Sequence, residues 1–191
     1  MNEGFRGYPL AGKVVDVGGG HEPDYFEYFA MQDGAALAVI DGSMSSIDFE
    51  KDPLPFADAS VDTVICANVL EHVYHHQFLA GQMRRILSPH GTVIGFVPFM
   101  IQYHPDPHDY FRYTREALTR IFTDAGFSRI EIRTVGGGPF LVNFNTIGLS
   151  VPRVLRPLLY LPYALFDALF LALRPASRER YPLGFIFTLG V

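Results

Sequence analysis

The segment from position 98 to 113 concentrates side chains that can accept or donate protons. Within it, His104, His108 and Asp109 stand close together, with tyrosines around them. A neutral imidazole accepts a proton near physiological pH, and a carboxylate beside it can fix its orientation. His104 or His108 is therefore a candidate general base, with Asp109 as its orienting partner. The alternative is a structural role, in which Asp109 pairs with Arg112 and the aromatic residues pack inward.

A second group of imidazoles lies earlier in the chain. Glu71 and His72 precede His75 and His76, and His72 and His76 have the i, i+4 spacing of one helix face. Together with His104 and His108, they could ligate zinc or iron. We favour the interpretation that no metal is bound and that His75 and His76 lie on a solvated turn. His72 is kept as a further catalytic candidate beside an acceptor.

A glycine turn near the start of the chain is typical of a cofactor site. The β-branched run 14–17 predicts a strand buried on both faces of a parallel sheet. Gly18, Gly19 and Gly20 follow at once, and residues without a Cβ let the backbone approach a ligand closely. Pro23 stands where a dinucleotide motif has its third glycine, and the sequence has no phosphate-binding P-loop motif. An NAD-dependent enzyme is therefore disfavoured.

Acidic residues accompany this turn and the next predicted strand. Asp16 precedes the turn by one position, which suits a ligand with a charged amino group and no pyrophosphate. The predicted second strand, 35–40, ends in Asp41, about twenty residues after the glycines. A carboxylate at that place can accept two hydrogen bonds from ribose hydroxyls. The two acids indicate a nucleoside ligand that carries an amino group.

Four features in order, across residues 13–73, resemble the class I methyltransferases that use S-adenosylmethionine. After the turn and Asp41 come Asp48 and Phe49, a Leu-Pro-Phe run, and Asn-Val-Leu-Glu-His-Val from Asn68. The resemblance implies that Asp48 and Phe49 hold the adenine and that the segment from Asn68 lines the cofactor from its other side. The cofactor-binding residues it implies are Asp16, Gly18, Gly19, Gly20, Asp41, Gly42, Asp48, Phe49 and Asn68.

The order of predicted elements gives an α/β fold with a doubly wound, mostly parallel, seven-stranded sheet and an antiparallel last strand. We expect one domain over residues 1–191, with a helical, apolar insertion at 140–175 near the acceptor side. Helices are predicted over 25–31, 77–87 and 115–125, the last capped by Thr114. The predicted strands are 14–17, 35–40, a third near 47–49, 63–67, 92–97, 127–135 and 184–191.

The stretch 151–173 is the second unusual feature of the sequence. It is apolar, and beyond Arg156 only Asp167 is charged. Three interpretations stay open: a cap over the acceptor pocket, a homodimer interface, or a peripheral membrane contact with arginines at the headgroups. A membrane-spanning role is disfavoured, because the run is short, contains an acid and prolines, and must return a strand to the sheet.

Bulk composition narrows the function classes. The net charge of −5 argues against a nucleic-acid partner bound mainly through its phosphates. Cys66 is the only cysteine, which excludes an internal disulfide framework and fits a reducing compartment. The first residues lack the apolar core of a signal peptide, so a cytoplasmic location is predicted, with possible contact to a membrane surface.

The sequence therefore predicts an enzyme that transfers a methyl group from S-adenosylmethionine, most simply to an oxygen of a small-molecule, glycan or lipid-linked acceptor. The alternative is a protein of the same fold that acts as a non-catalytic binding or regulatory partner.

Overall fold

A six-stranded sheet organises the structure, a computed structural model that describes residues 2–20, 25–42 and 47–191. The strands are β1 (Lys13–Val17), β2 (Ala36–Ile40), β3 (Val61–Ala67), β4 (Leu87–Pro98), β5 (Arg129–Val135) and β6 (Gly184–Gly190). Their order across the sheet is β2-β1-β3-β4-β6-β5. Neighbours among β1 to β4 pair in parallel, and β6 pairs antiparallel with β4 and β5. The predicted doubly wound α/β fold with an antiparallel last strand is confirmed.

The centre of this sheet forms where side chains are apolar on both faces. Val14, Val15 and Val17 of β1 are buried, as are Val64 and Ile65 of β3. Burial of such side chains is the main favourable contribution to folding. The chain leaves β1 for β2 on one side and then crosses back to β3 on the other. The carboxyl ends of β1 and β3 therefore border the crevice in which open α/β sheets bind ligands.

The predicted third strand at 47–49 is wrong. Asp48 instead begins a polar turn, in which its carboxylate accepts the Glu50 amide at 3.0 Å and its carbonyl accepts the Asp52 amide at 2.8 Å. Aspartate favours such turns because its side chain satisfies nearby backbone groups. With these groups bonded inside the turn, the segment does not pair with the sheet, which has six strands among the described residues instead of the predicted seven.

The predicted helix over 25–31 is also wrong. The chain forms a single 3₁₀ turn, Phe26–Tyr28, and then a two-residue strand, Ala30–Met31, that pairs in parallel with Pro9–Leu10. Tyr25 and Phe29 are both buried, and the ring of Phe29 stacks on Phe5 at 4.9 Å. These aromatic contacts with the N-terminal segment hold the backbone extended where its own periodicity suggested a helix.

The described residues form four α-helices: α1 (His76–Ile86), α2 (Arg115–Asp124), α3 (Pro139–Gly148) and α4 (Arg156–Leu173). Leu79 and Met83 of α1 and Leu118 and Phe122 of α2 are fully buried in one core cluster with the sheet. Thr114 caps α2 as predicted, since its side chain accepts the Ala117 amide at 3.2 Å. Helices α1 and α2 thus fix the segments that follow β3 and β4.

The predicted insertion contains a helical hairpin made of α3 and α4. Asp167 of α4 is 1% exposed, and its carboxylate accepts the backbone amides of Gly138 and Phe140 at the start of α3. The opposite face of α4 is bare, because Leu158, Leu161, Leu165 and Leu169 are largely exposed. The stretch Arg153–Leu173 is long and apolar enough by composition to cross a membrane, with a mean hydropathy of 1.5 and only 6% of it buried.

Candidate functional site

A cleft of about 630 Å³ opens at the carboxyl ends of β1, β2 and β3. Six of the predicted cofactor residues line it: Gly18, Asp41, Gly42, Asp48, Phe49 and Asn68. Two predicted catalytic residues, His72 and His108, line the same cleft. Its volume lies within the range of small-molecule and cofactor sites. Segments that are far apart in the sequence therefore meet in one cavity of suitable size.

The glycine turn is shaped by close contacts that exclude side chains. Gly18 has a φ of +80°, and a Cβ there would lie 2.5 Å from a methyl group of Val69. A Cβ on Gly19 would lie 1.8 Å from the carboxylate of Asp16. Only glycine avoids both the unfavourable backbone conformation and these overlaps. The backbone of the turn is consequently bare where it meets the cleft at Gly18.

Asp16 supports the turn rather than lining the cleft. Its side chain is fully buried, and both carboxylate oxygens accept the hydroxyl of Tyr25, at 2.8 and 3.0 Å. Burial raises the pKa of Asp16 to about 7; the Tyr25 hydrogen bond lowers it less, and the charge of Asp41 raises it slightly. Like Asp16, the predicted residues Gly19 and Gly20 lie outside the described cleft lining.

The opposite wall is formed by the turn at Asp48 and by the end of β3. Lys51 pairs with the half-exposed carboxylate of Asp48 at 2.9 Å, and this contact lowers the pKa of Asp48. Asn68 directly follows β3 with a φ of +55°, a left-handed conformation that asparagine tolerates better than most residues. The backbone N–H of Asn68 donates to the Phe96 carbonyl of β4 at 3.0 Å. This turn aims the segment after β3 along the cleft.

Glu71 lies at the centre of the histidine cluster and is fully buried. Its Oε1 lies 3.6 Å from Nε2 of His72 and 3.7 Å from Nε2 of His104. Burial raises the pKa of Glu71 to about 8, although its own backbone amide and Arg112 lower it. That amide makes no hydrogen bond of acceptable geometry to the carboxylate, and neither oxygen has such a partner among the described residues.

Asp109 fixes the loop after β4 rather than the imidazole of His104. Both of its oxygens accept hydrogen bonds from Arg112, at 2.5 and 2.8 Å, and one also accepts the His104 backbone amide at 2.9 Å. The Arg112 guanidinium holds the pKa of Asp109 well below its usual range. Nδ1 of His104 lies 3.6 Å from Asp109 and only 2.8 Å from the Gln102 carbonyl. The carbonyl therefore orients this ring.

The remaining histidines of the second group point elsewhere. His76 is buried, and its ring packs against Phe111 at 4.9 Å and Tyr113 at 5.2 Å. His75 is exposed and lies 3.8 Å from the carboxylate of Glu50. Of the wider group considered from the sequence, Glu71, His72 and His104 come together, with one ligand atom of each within 4.8 Å of the others.

Sequence reasoning missed part of the cleft lining. Asp106, Pro107 and Tyr110 line the cleft without having been assigned a role. The sequence could have indicated them, because they lie in the same segment after β4 as His104 and His108. No residue from 139–175 is among those lining the described cleft, so the hairpin does not cover it there. One link between the hairpin and the loop after β4 is the side-chain amide of Gln102, which donates to the Asn145 carbonyl.

Comparison with known proteins agrees with this geometry. Residues 16–95 match the family model of a methyltransferase domain. Uncharacterized methyltransferases of Mycobacterium tuberculosis are 32% identical over 110 residues, which cover 45% of this chain and 39% of theirs. One from Mycolicibacterium gilvum is 27% identical over 73% of this chain and 64% of its own. The chain thus spans less than two thirds of these relatives.

Solved structures share the fold at low sequence identity. A chain in the complex of the Haloferax volcanii Trm112 methyltransferase activator with a putative methyltransferase matches 99% of this chain and 86% of its own, at 15% identity and a TM-score of 0.56. A SAM-dependent methyltransferase from Archaeoglobus fulgidus matches 97% and 87%, at 13% identity and a TM-score of 0.54. Residues 16–95 are therefore similar to a methyltransferase domain, and the chain has the fold of the class I, S-adenosylmethionine-dependent methyltransferases.

Proposed function

We propose that this protein transfers a methyl group from S-adenosylmethionine to an oxygen atom of a small-molecule, glycan or lipid-linked acceptor. The observation that carries the proposal is the shared cleft, in which the predicted cofactor residues and two imidazoles line one cavity. A methyl transfer from a sulfonium requires donor and acceptor to be held in line within a single site, and positioning supplies much of the catalysis.

The cofactor assignment follows the three strand ends. Asp41 after β2 accepts hydrogen bonds from the ribose hydroxyls, as an acid at that position does in nucleotide-binding α/β folds. Asp48 and Phe49 face the cleft beside it and hold the adenine, and the bare backbone at Gly18 leaves space for the methionine part. Asn68 lines the same cavity from the end of β3.

The acceptor end lies where the segment after β4 meets the end of β3. His72, His108 and Tyr110 line the cleft there. A hydroxyl must lose its proton during or before attack, and a neutral imidazole accepts it near physiological pH. His108 is our candidate base, since it lines the cleft whereas His104 stands behind it. The net charge of −5 opposes a nucleic-acid acceptor.

Titration calorimetry with S-adenosylmethionine and S-adenosylhomocysteine, with NAD as the control, tests the cofactor. We expect micromolar binding of the first two ligands alone. Asp41→Ala should weaken that binding about ten- to a hundredfold, because a carboxylate hydrogen bond contributes roughly 1.5–3 kcal/mol. Asp33→Ala removes an exposed carboxylate and is the matched control. Absence of binding would favour the alternative, a non-catalytic binding or regulatory protein.

A lipid-linked acceptor is favoured by the bare face of α4. Leu161, Leu165 and Leu169 are each at least 60% exposed, and Arg153 and Arg156 precede them. Exposed apolar side chains with arginines beside them suit a membrane surface with anionic headgroups. We assign this face to a peripheral membrane contact of a cytoplasmic protein, in preference to a homodimer.

The sheet topology opposes a spanning helix. Val135, which precedes the insertion, pairs with Gly184, which follows it, so both ends of the insertion meet at one place. Helix α3 has 10 residues and is therefore about 15 Å long, half the thickness of a bilayer core. It cannot provide the return crossing that a spanning α4 would need. The topology therefore favours a hairpin that contacts a membrane at its surface over one that crosses it.

Sedimentation with vesicles tests the assignment. The intact protein should sediment with vesicles that contain anionic lipid and less with neutral ones. Leu161→Glu with Leu165→Glu should abolish sedimentation, whereas Thr119→Glu on the exposed face of α2 should not. A dimer in solution that these two substitutions dissociate, without any binding to vesicles, would refute the membrane assignment.

A further inference from the structure

The cluster at the end of β3 contains a buried carboxylate that the protein itself leaves unsatisfied. Glu71 is fully buried, and neither of its oxygens has a hydrogen-bond partner among the described residues. A buried polar group without a partner costs free energy and calls for an explanation. The atoms that face Oε1 most closely are Nε2 of His72, at 3.6 Å, and Nε2 of His104, at 3.7 Å.

These separations do not suit hydrogen bonds but do suit a shared ion. Hydrogen bonds between nitrogen and oxygen have heavy-atom distances of about 2.7–3.2 Å. A tetrahedral zinc ion about 2.1 Å from each ligand holds neighbouring ligand atoms about 3.4 Å apart. The observed distances of 3.6 and 3.7 Å are close to that value. The rings of His72 and His104 are perpendicular, with their centroids 5.3 Å apart in an edge-to-face contact.

Both imidazoles are held in the tautomer that a metal ligand requires. Nδ1 of His72 lies 2.5 Å from the carbonyl oxygen of His108, and Nδ1 of His104 lies 2.8 Å from that of Gln102. A carbonyl only accepts, so Nδ1 of His72 carries the proton. Nδ1 of His104 also lies 3.3 Å from Nη2 of Arg112, a donor, but the shorter contact with the Gln102 carbonyl favours a proton on this Nδ1 as well. In this tautomer the lone pairs are on the two Nε2 atoms, which face Glu71. Metal-binding histidines almost always donate their second N–H in this way.

We propose that Glu71, His72 and His104 bind one divalent transition-metal ion, zinc being the first candidate, at the edge of the cleft. Two imidazoles with one carboxylate suit zinc, iron(II) or manganese, whereas magnesium and calcium prefer ligand sets made of oxygen. With three protein ligands, at least one coordination position is open. His72 also lines the cleft, which would place the ion beside the acceptor end.

The use of the ion rests on the proposed function. If an acceptor hydroxyl entered the open position, the ion would lower its pKa, as catalytic zinc does for water. The imidazole of His108 would take the proton. The oxygen would then take the methyl group as the bond from the methyl carbon to the sulfonium sulfur broke, which would leave the neutral thioether S-adenosylhomocysteine.

Titration of the chelator-treated protein with zinc chloride tests the site. We expect one equivalent to bind with micromolar or tighter affinity, and magnesium not to compete. His72→Ala and His104→Ala should each weaken zinc binding at least tenfold. His90→Ala is the matched control, because His90 is exposed near the start of β4, at the opposite end of that strand. Unchanged affinity in both cluster variants would overturn the proposal.

Cobalt(II) provides a readout that does not depend on activity or on zinc affinity alone. The intact protein and His90→Ala should show the visible absorption of a four- or five-coordinate cobalt site, and His104→Ala should lack it. Glu71→Gln keeps the shape of the side chain and should also lose the spectrum. If Glu71→Gln does not fold, His104→Ala still tests the site, because His104 is partly exposed. A spectrum that persists in His104→Ala would refute the assignment.

Binding of S-adenosylmethionine to the same metal-free samples separates the two proposals. Cofactor binding without zinc binding would overturn the metal site alone. Zinc binding at these residues without cofactor binding would support the site and overturn the proposed function.

Discussion

Replacing Asp16 with asparagine is expected to flatten the dependence of folding stability on pH. The carboxyl group is fully buried beneath the glycine turn, and the hydroxyl of Tyr25 is its donor, at 2.8 and 3.0 Å. Burial raises its pKa from 3.8 to about 7 in the folded protein, since removal from water penalises the charged form more than one hydroxyl stabilises it. Asparagine has a similar shape and stays neutral.

The sign follows from where each state binds the proton. Below about pH 4 the carboxyl of Asp16 is neutral in both states, so its burial does not reduce the stability of the native protein. As pH rises from about 4 to 7, the unfolded chain releases the proton while the folded chain keeps it, so stability falls; above about 7 both states are ionised and the fall ends. The difference between 3.8 and about 7 corresponds to about 4 kcal/mol, of which about 3 kcal/mol lies between pH 5 and 8.

Urea unfolding of the wild type, Asp16→Asn and Asp33→Asn at several values between pH 5 and 8 measures this effect. The wild type should lose about 3 kcal/mol more than Asp16→Asn over this range. Asp33 is exposed, and its variant should follow the wild type. Glu71 is a second buried carboxyl with a raised pKa, but it is present in all three proteins and cancels in the comparison. Parallel curves for the wild type and Asp16→Asn would refute the reasoning.

Two further predictions concern stability, each measured by urea unfolding. Asp167→Ala should cost about 3 kcal/mol, because it leaves two amides at the start of α3 without their acceptor; Asp33→Ala, an exposed change, should cost little, and equal losses would contradict the role of the contact. Gly95→Ala should cost about 3 kcal/mol, since its Cβ would lie 2.2 Å from a backbone carbonyl of β3, whereas Gly81→Ala meets nothing within 4 Å in α1 and should gain up to about 1 kcal/mol. A Gly95→Ala protein as stable as Gly81→Ala would show that the strands can separate there.

The sequence predicted the elements whose signals are local. The valines of 14–17 and the apolar run 63–67 indicated buried central strands, and both lie at the centre of the sheet. Thr114 indicated a helix start through the chemistry of its hydroxyl alone. Such signals suffice because the strand or cap is determined by residues within a few positions.

The failures occurred where distant contacts outweighed local preference. The apolar residues of the segment 25–31 have a helical period. The hydroxyl of Tyr25, however, donates to the carboxylate of Asp16, and its ring lies against Phe5 of the N-terminal segment. Asp48 lies between two apolar residues, an alternation typical of a strand, yet its carboxylate accepts the Glu50 amide and closes a turn. In both cases the decisive partner is a side chain whose position depends on the fold. Periodicity contains no information about such a partner.

The candidate site shows how topology changes the meaning of spacing. Along the sequence, His72 belongs with His75 and His76, which invites an interpretation from helical spacing. In the structure His72 precedes α1, His76 turns into the core, and the partner of His72 is His104, which follows a different strand. The reason is that β3 and β4 are adjacent and parallel, so the segments after them leave the sheet side by side. Once that order is known, a buried Glu71 between two imidazoles follows from chain positions that periodicity alone would never pair.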